Sequence, residues 1–171
     1  MSIITPLWPF RKLGGGTPAT PVLLYGHTDT DDAFTMNGVN DGYGQVFTPS
    51  ETKTTHHVDW KFGLALSPVG AFTAFVYAES AGVPTGAALA SSGPIDASTI
   101  ATGAYTTFTF TTTAVLTAST TYVVTIEATS WSSGSHRISI DGSAPNGCNN
   151  DGGGGWSATA NNGAYVEMYG I

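Results

Sequence analysis

The stretch AYTTFTFTTTAVLTASTTYVVTIEA, residues 104–128, decides the fold. Phe108 and Phe110 fall on one face of an extended segment, and Val124 and Ile126 repeat the two-residue period after a short break. This alternation predicts two β-strands, and Thr, Val, Ile, Phe and Tyr are the residue types that strands favour. Because an isolated strand pair cannot bury its apolar face, the rest of the chain has to supply a second layer of sheet.

Further strands are predicted on both sides of this stretch. They cover residues 22–25, 45–48, 58–66, 72–78, 137–140 and 164–169. The strongest alternation predicts a core face made of Val58, Trp60, Phe62, Leu64 and Leu66. The opposite, solvent-exposed face then carries His57, Asp59 and Lys61. Residues 81–100, 130–135 and 146–155 are rich in Gly, Pro and polar residues, which predicts connections without regular structure.

The predicted fold class is all-β, an antiparallel β-sandwich of jelly-roll-like topology preceded by an extended N-terminal arm. Residues 1–21 form the arm and a Gly/Pro linker, and residues 22–171 form the sandwich domain. Pro6 and Pro9 exclude a regular helix or central strand from the arm. Its apolar residues are expected to dock on a partner: Ile3, Ile4, Leu7, Trp8 and Phe10. Folding of this segment back onto its own domain is the alternative.

Charge and composition narrow the classes of partner. The chain has 171 residues and a formal net charge of −7, and residues 13–171 carry three basic against twelve acidic groups, a net −9. This balance argues against a nucleic-acid backbone as partner. No signal peptide or membrane span is predicted, and the single Cys148 excludes an intrachain disulfide.

The order of motifs resembles a known domain type. FTAFVYAESAGVPTGAALASS (72–92), TTFTFTTTAVLTASTTYVVTIEA (106–128), a late Gly155-Trp156 and a closing Tyr169-Gly170 are similar to a β-sandwich domain of phage virion proteins and choice-of-anchor bacterial surface proteins. The resemblance spans residues 45–171. It implies adhesion or assembly and no catalysis. The absence of an export signal favours a virion component that is made in the host cytoplasm.

Loop aromatics are the candidate glycan-binding residues, because sugar rings stack on aromatic faces. Trp131 and Trp156 are the predicted platforms, with Asn149, Asn150 and Asp151 adding polar contacts. The alternative is a core position, weighed equally for Trp131 and preferred for Trp156.

Metal and catalytic signals are weaker. Asp29, Asp31 and Asp32 are calcium candidates in an oxygen-rich loop that also precedes Asp41, but their spacing does not match an EF-hand, and turn formation is the preferred interpretation. His57 and Asp59 share a strand face while His56 is expected to point the opposite way, so no full ligand set is predicted there. No nucleophile elbow or triad order is recognised, and no enzyme is predicted.

Two functions follow from these observations. The first is a phage virion structural protein, a capsid decoration protein whose arm attaches it to other virion proteins such as the major capsid or tail protein, with a homo-oligomer expected. The second is a carbohydrate-binding adhesion module of a tail or receptor-binding protein that recognises host-surface glycans.

Overall fold

The computed structural model describes residues 19–26, 32–142, 146–160 and 162–171, and the fold is all-β and antiparallel. Thirteen strands are present in these ranges. In chain order they are β1 (Val22–Gly26), β2 (Asp32–Met36), β3 (Gly42–Phe47), β4 (Lys53–Ser80), β5 (Val83–Ser92), β6 (Ile95–Asp96), β7 (Tyr105–Thr112), β8 (Val115–Leu116), β9 (Tyr122–Asp141), β10 (Gly147–Asn150), β11 (Ser157–Thr159), β12 (Gly163–Ala164) and β13 (Val166–Gly170). A single 3₁₀ turn, Ala97–Thr99, is the helical element of the described residues.

Strand β4 organises the pairing. Its first part pairs with β7 on one side and β13 on the other, and β13 in turn pairs with β1. Its second part pairs with β9, β5 and β6, and β9 continues the sheet through β3, β10 and β11. Both parts contribute inward side chains to one hydrophobic core.

The alternation predicted for residues 58–66 is confirmed only in its first half. Val58, Trp60 and Phe62 are fully buried, but Leu64 and Leu66 are 46% and 56% exposed. The expectation that these two leucines face the core is wrong. The register against β9 shifts between Phe62 and Ala65 and again after Leu66, so the strict two-residue period is lost there.

The stretch 104–128 forms the predicted strands. Phe108 and Phe110 of β7 and Val124 and Ile126 of β9 are buried in the core. Strand β9 does not end at residue 128, however, and the expected loop at 130–135 is wrong. That segment continues along β4, with Trp131 opposite Gly70, because the partner strand supplies the hydrogen bonds that local sequence does not reveal.

Two further connections contain strands that the sequence did not predict. Residues 81–100 include β5 and β6, and Ala81 and Gly82, both with positive φ, form the tight turn that folds β5 back onto β4. Residues 146–155 include β10, which pairs with β3. Glycine and proline content therefore marked real turns but concealed the short strands between them.

Candidate functional site

The outward side chains of β7, the first part of β4 and the β13 segment form one continuous surface, here named the tyrosine face. Its inward neighbours are buried, so alternation directs the intervening residues outward. The members are Tyr105, Thr107, Thr109, His57, Asp59, Lys61, Tyr165, Glu167 and Tyr169.

Strand register orders these side chains into three rows across the sheet. Thr109, His57 and Tyr169 stand opposite one another in the first row. In each row the first residue belongs to β7, the second to β4 and the third to the β13 segment. The second row holds Thr107, Asp59 and Glu167, and the third holds Tyr105, Lys61 and Tyr165. Rows two residues apart are separated by about 6.6 Å, so the acidic row lies between two aromatic rows.

The aromatic rows are built from contacting rings. The His57 and Tyr169 rings stack, with centroids 4.3 Å apart and planes 14° apart, and the Tyr105 and Tyr165 centroids are 5.2 Å apart. Tyr105 remains 40% exposed. These pairs fix the ring positions before any ligand arrives, which reduces the entropy lost on binding.

The acidic row keeps free hydrogen-bonding capacity. The Tyr169 hydroxyl donates to Glu167 Oε2 at 2.7 Å, which leaves Oε1 to accept from another group. Asp59 Oδ1 is buried and has no hydrogen-bond partner among the described residues. The Lys61 ammonium does not fill this position, because its Nζ lies over the Tyr165 ring, 4.3 Å from the centroid.

Protonation equilibria on the face follow from burial and from the carboxylates. The hydrogen bond to Glu167 is the main cause that raises the pKa of Tyr169 to about 12, and burial, followed by the hydrogen bond with Tyr165, raises the pKa of Tyr105. Both phenols are therefore neutral donors at neutral pH. Burial lowers the pKa of His57, with the Asp59 charge opposing and His56 assisting that change.

The expectation that His56 points away from His57 is wrong. The two Nδ1 atoms are 2.6 Å apart and the rings meet edge to face. The register between β4 and β13 shifts at this point, which brings two consecutive side chains toward the same side of the strand. Within the described ranges no group of three His, Cys, Asp or Glu side chains has a metal-binding arrangement.

Trp131 lies apart from the other predicted glycan-binding residues. Its ring packs on Phe72 of the core at 5.3 Å, its Nε1 donates to the Gly134 carbonyl, and its remaining surface helps to line a shallow cavity of about 240 Å³. Gly70 permits this position, since a Cβ there would stand 2.7 Å from the indole. Trp131 is thus half-buried with one face against the core.

Trp156 and Asn150 are brought together over strand β3. Asn150 pairs with Gly42, and a Cβ on Gly42 would stand 2.8 Å from the Trp156 indole and 3.3 Å from the Glu127 side chain. Glu127 lies between the core residues Ile126 and Ala128 of β9 and therefore faces away from the core, so Trp156 and Trp131 lie on opposite sides of the sheet. Asn150 Oδ1 is buried without a hydrogen-bond partner among the described residues.

The remaining residues of the predicted glycan and calcium sites are placed as follows. Asn149 is half-buried opposite Tyr43, and Asp151 is exposed in the turn after β10. The backbone of Asp32 lies in β2, while Asp29, Asp31 and the arm residues Ile3, Ile4, Leu7, Trp8 and Phe10 lie outside the described residues.

Asp41, the fourth acid of the candidate calcium loop, has its carboxylate hydrogen-bonded to backbone N–H groups. It is 1% exposed, and its carboxylate accepts from the N–H groups of Asn37, Gly38 and Gly152 at 2.7, 2.7 and 2.8 Å. It therefore ties the turn before β3 to the Gly-rich turn after β10.

Sequence reasoning placed three strand residues of the tyrosine face outward but did not recognise a site. The two-residue period also placed Tyr105, Thr107 and Thr109 together on one face of the neighbouring predicted strand. What was missing was the pairing of β13 with β4, which joins residues about 110 positions apart, such as Tyr169 and His57. Aromatic residues at outward positions of several predicted strands are the sequence signal that identifies this face.

No protein-family model, curated protein or solved structure matches this chain. Among the described residues no helix is both long and apolar enough to cross a membrane.

Proposed function

We propose that this chain is a carbohydrate-binding adhesion module on the exterior of a phage virion, and that the tyrosine face contacts the glycan. The observation that carries the proposal is the set of three tyrosines and one histidine on a single exposed sheet face, with two carboxylates between them. The virion setting rests on the resemblance of residues 45–171 to virion sandwich domains.

The chemistry of the face suits a sugar. The C–H groups of a pyranose ring are slightly positive and pack against the negative face of an aromatic ring, while its hydroxyls seek donors and acceptors around the edge. Tyr105 offers the most exposed ring, and Asp59 and Glu167 offer acceptors. Thr107 and Thr109, both exposed, add hydroxyls that donate or accept.

The proposal includes a jelly-roll-like β-sandwich as the scaffold. Strands β1, β13 and β7 with the first part of β4 would form one layer, and β3, β9, β10 and β5 with the second part of β4 would form the other. The shared core of inward side chains supports this arrangement. In it the tyrosine face is the outer surface of the first layer.

A glycan array followed by calorimetry with the best ligand tests the proposal. Tyr105→Ala should weaken binding roughly tenfold, since one stacking contact contributes about 1 to 2 kcal/mol in comparable base-on-aromatic sites. Its melting temperature should change little because the side chain is 40% exposed. Val115→Ala is the matched control, because Val115 is 64% exposed on β8 and outside the face.

Trp131→Ala and Trp156→Ala test the two tryptophans that the sequence predicted as sugar platforms. If these tryptophans were the platform, their variants would lose glycan binding and Tyr105→Ala would not, which would refute the assignment to the tyrosine face. Trp131→Ala is also expected to destabilise the fold by roughly 2 to 3 kcal/mol, because one side of the ring packs on Phe72.

Capsid decoration is the second candidate. It rests on the apolar sequence of the arm and on three exposed apolar residues within a short segment of β4, namely Leu64, Leu66 and Val69. Under this proposal the chain assembles with other virion proteins and with its own copies. Replacing Trp8 and Phe10 by Ala in the full chain should abolish co-sedimentation with capsids that lack this protein. Undiminished co-sedimentation would remove the arm from the attachment mechanism.

A further inference from the structure

We propose that the tyrosine face selects glycans that carry a free amine and discriminates against acidic glycans. This inference rests on the proposed function and names the ligand class of the same site. Its starting point is the order of the rows, in which two carboxylates stand directly opposite each other with aromatic pairs on both sides.

The carboxylates of the acidic row can accept a hydrogen bond from a cationic donor. Asp59 and Glu167 are both half-buried, and Asp59 Oδ1 is shielded from solvent without a hydrogen-bond partner among the described residues. Because this oxygen is out of a ligand's reach, a ligand would meet the other carboxylate oxygens of the row, among them Glu167 Oε1, and a charged donor gives them the stronger hydrogen bond. An ammonium group placed above this row would supply that donor.

The aromatic rows favour the same kind of group. An ammonium ion is attracted to the face of a tyrosine ring, and the protein already contains one such contact, since Lys61 Nζ lies 4.3 Å from the Tyr165 centroid. Lys61 is thereby directed toward Tyr165, at the third row. An amine on a bound sugar would occupy the equivalent environment between the rows.

Charge adds long-range discrimination. The chain carries a net charge of −7, and the face itself holds two carboxylates against one lysine. Cationic ligands are attracted to such a surface and uronates are repelled by it. Because the effect is electrostatic, it should weaken as the ionic strength rises.

The test compares two sugars that differ only in the acetylation of the amine, with an acidic tetramer as the third ligand. The β-1,4-linked glucosamine tetramer, its fully N-acetylated counterpart and an alginate tetramer are titrated into the full chain at pH 6.5, in low and in high salt. The free-amine tetramer should bind roughly tenfold more tightly than the acetylated one in low salt, as expected for a cation–π contact plus an exposed ion pair. This preference should shrink in high salt, and alginate should bind most weakly.

Three variants assign the selectivity to named groups. Asp59→Asn and Glu167→Gln keep the shape of the side chains but remove their charge, so the free-amine tetramer should lose more affinity than the acetylated one and the amine preference should fall toward one. Lys61→Met should strengthen binding of the free-amine tetramer, because it removes a competing cation from the face. Thermal melts confirm that each variant is folded.

The outcomes separate the two proposals. Binding of the acetylated tetramer as tightly as the free-amine one, or tighter binding of alginate, would overturn the amine selectivity and leave the carbohydrate function standing. Weaker amine binding by Lys61→Met would also overturn it. If none of the three sugars and no glycan of the array binds, both the carbohydrate function and the selectivity fail.

Discussion

Replacing Asp41 tests whether one buried carboxylate holds two turns together. Its three backbone N–H donors come from Asn37, Gly38 and Gly152, at 2.7 to 2.8 Å, and Asp41 is 1% exposed. A hydrogen bond to a charged group contributes about 1.5 to 3 kcal/mol net. The three donors lie near the surface and regain water in part, so Asp41→Ala should lower the free energy of unfolding by roughly 3 to 5 kcal/mol.

Asp41→Asn should cost less, roughly 2 to 3 kcal/mol, because the amide retains one acceptor oxygen and presents an N–H₂ group to the remaining donors. Urea unfolding followed by tryptophan fluorescence measures both variants, and the midpoint should fall by roughly 1 to 3 M for Asp41→Ala at unchanged slope. Trp156 follows the anchored turn, so its emission should also shift in the folded state.

Asp151→Asn is the matched control, since Asp151 is an exposed acid in the same Gly-rich turn. Its free energy of unfolding should stay within about 0.5 kcal/mol of the parent. If the free energy of unfolding of Asp41→Ala lay within 1 kcal/mol of the parent, the conclusion that the Asp41 carboxylate holds the two turns together would be refuted. That result would mean that water or other groups satisfy the three N–H donors once the carboxylate is removed.

Three further predictions follow from individual contacts. Gly42→Ala should destabilise the fold by roughly 1 to 3 kcal/mol and displace Trp156, read as a shift in emission, because the new Cβ would stand 2.8 Å from the indole; Gly93→Ala, with nothing within 4 Å, should be tolerated. Burial lowers the pKa of His136, so the unfolded state binds more protons than the folded state below the ordinary histidine pKa, and the free energy of unfolding falls as the pH drops through about 6.5. His136→Leu should flatten that part of the pH–stability curve. An unchanged slope would contradict the assignment to His136. Burial raises the pKa of Cys148 to about 12, so a thiol reagent at pH 8 should label it only after denaturation, and rapid labelling of the folded protein would show that the thiol is accessible.

The local sequence was sufficient wherever one strand has one buried face. The alternations around Phe108, Val124 and Val58 each predicted a strand and its inward side, and the structure confirms them. Side-chain direction in a strand depends only on the two-residue period, which is a property of consecutive residues. The same reasoning failed at Leu64 and Leu66, where register shifts against a distant strand break the period.

The short strands could not be predicted from composition. Strand β10 lies in a segment with Gly, Asn and Cys, and it forms because β3 offers a row of backbone partners. Likewise, residues 130–135 extend β9 because β4 runs beside them. Hydrogen bonds between strands are made by the backbone, so residue types with low strand propensity can still complete a sheet edge.

By itself, the sequence determined that the chain is an all-β protein, where its main strands run and, away from the register shifts at Leu64 and Leu66, which of their side chains are buried, because these depend on neighbouring residues. Only the tertiary structure decided which outward residues share a surface. Tyr105, Asp59 and Tyr169 come from three separate parts of the chain and meet because β7 and β13 pair with opposite edges of β4. It likewise placed Trp131 and Trp156 on opposite sides of the sheet, since strand pairing between distant residues, and no local preference, sets those positions.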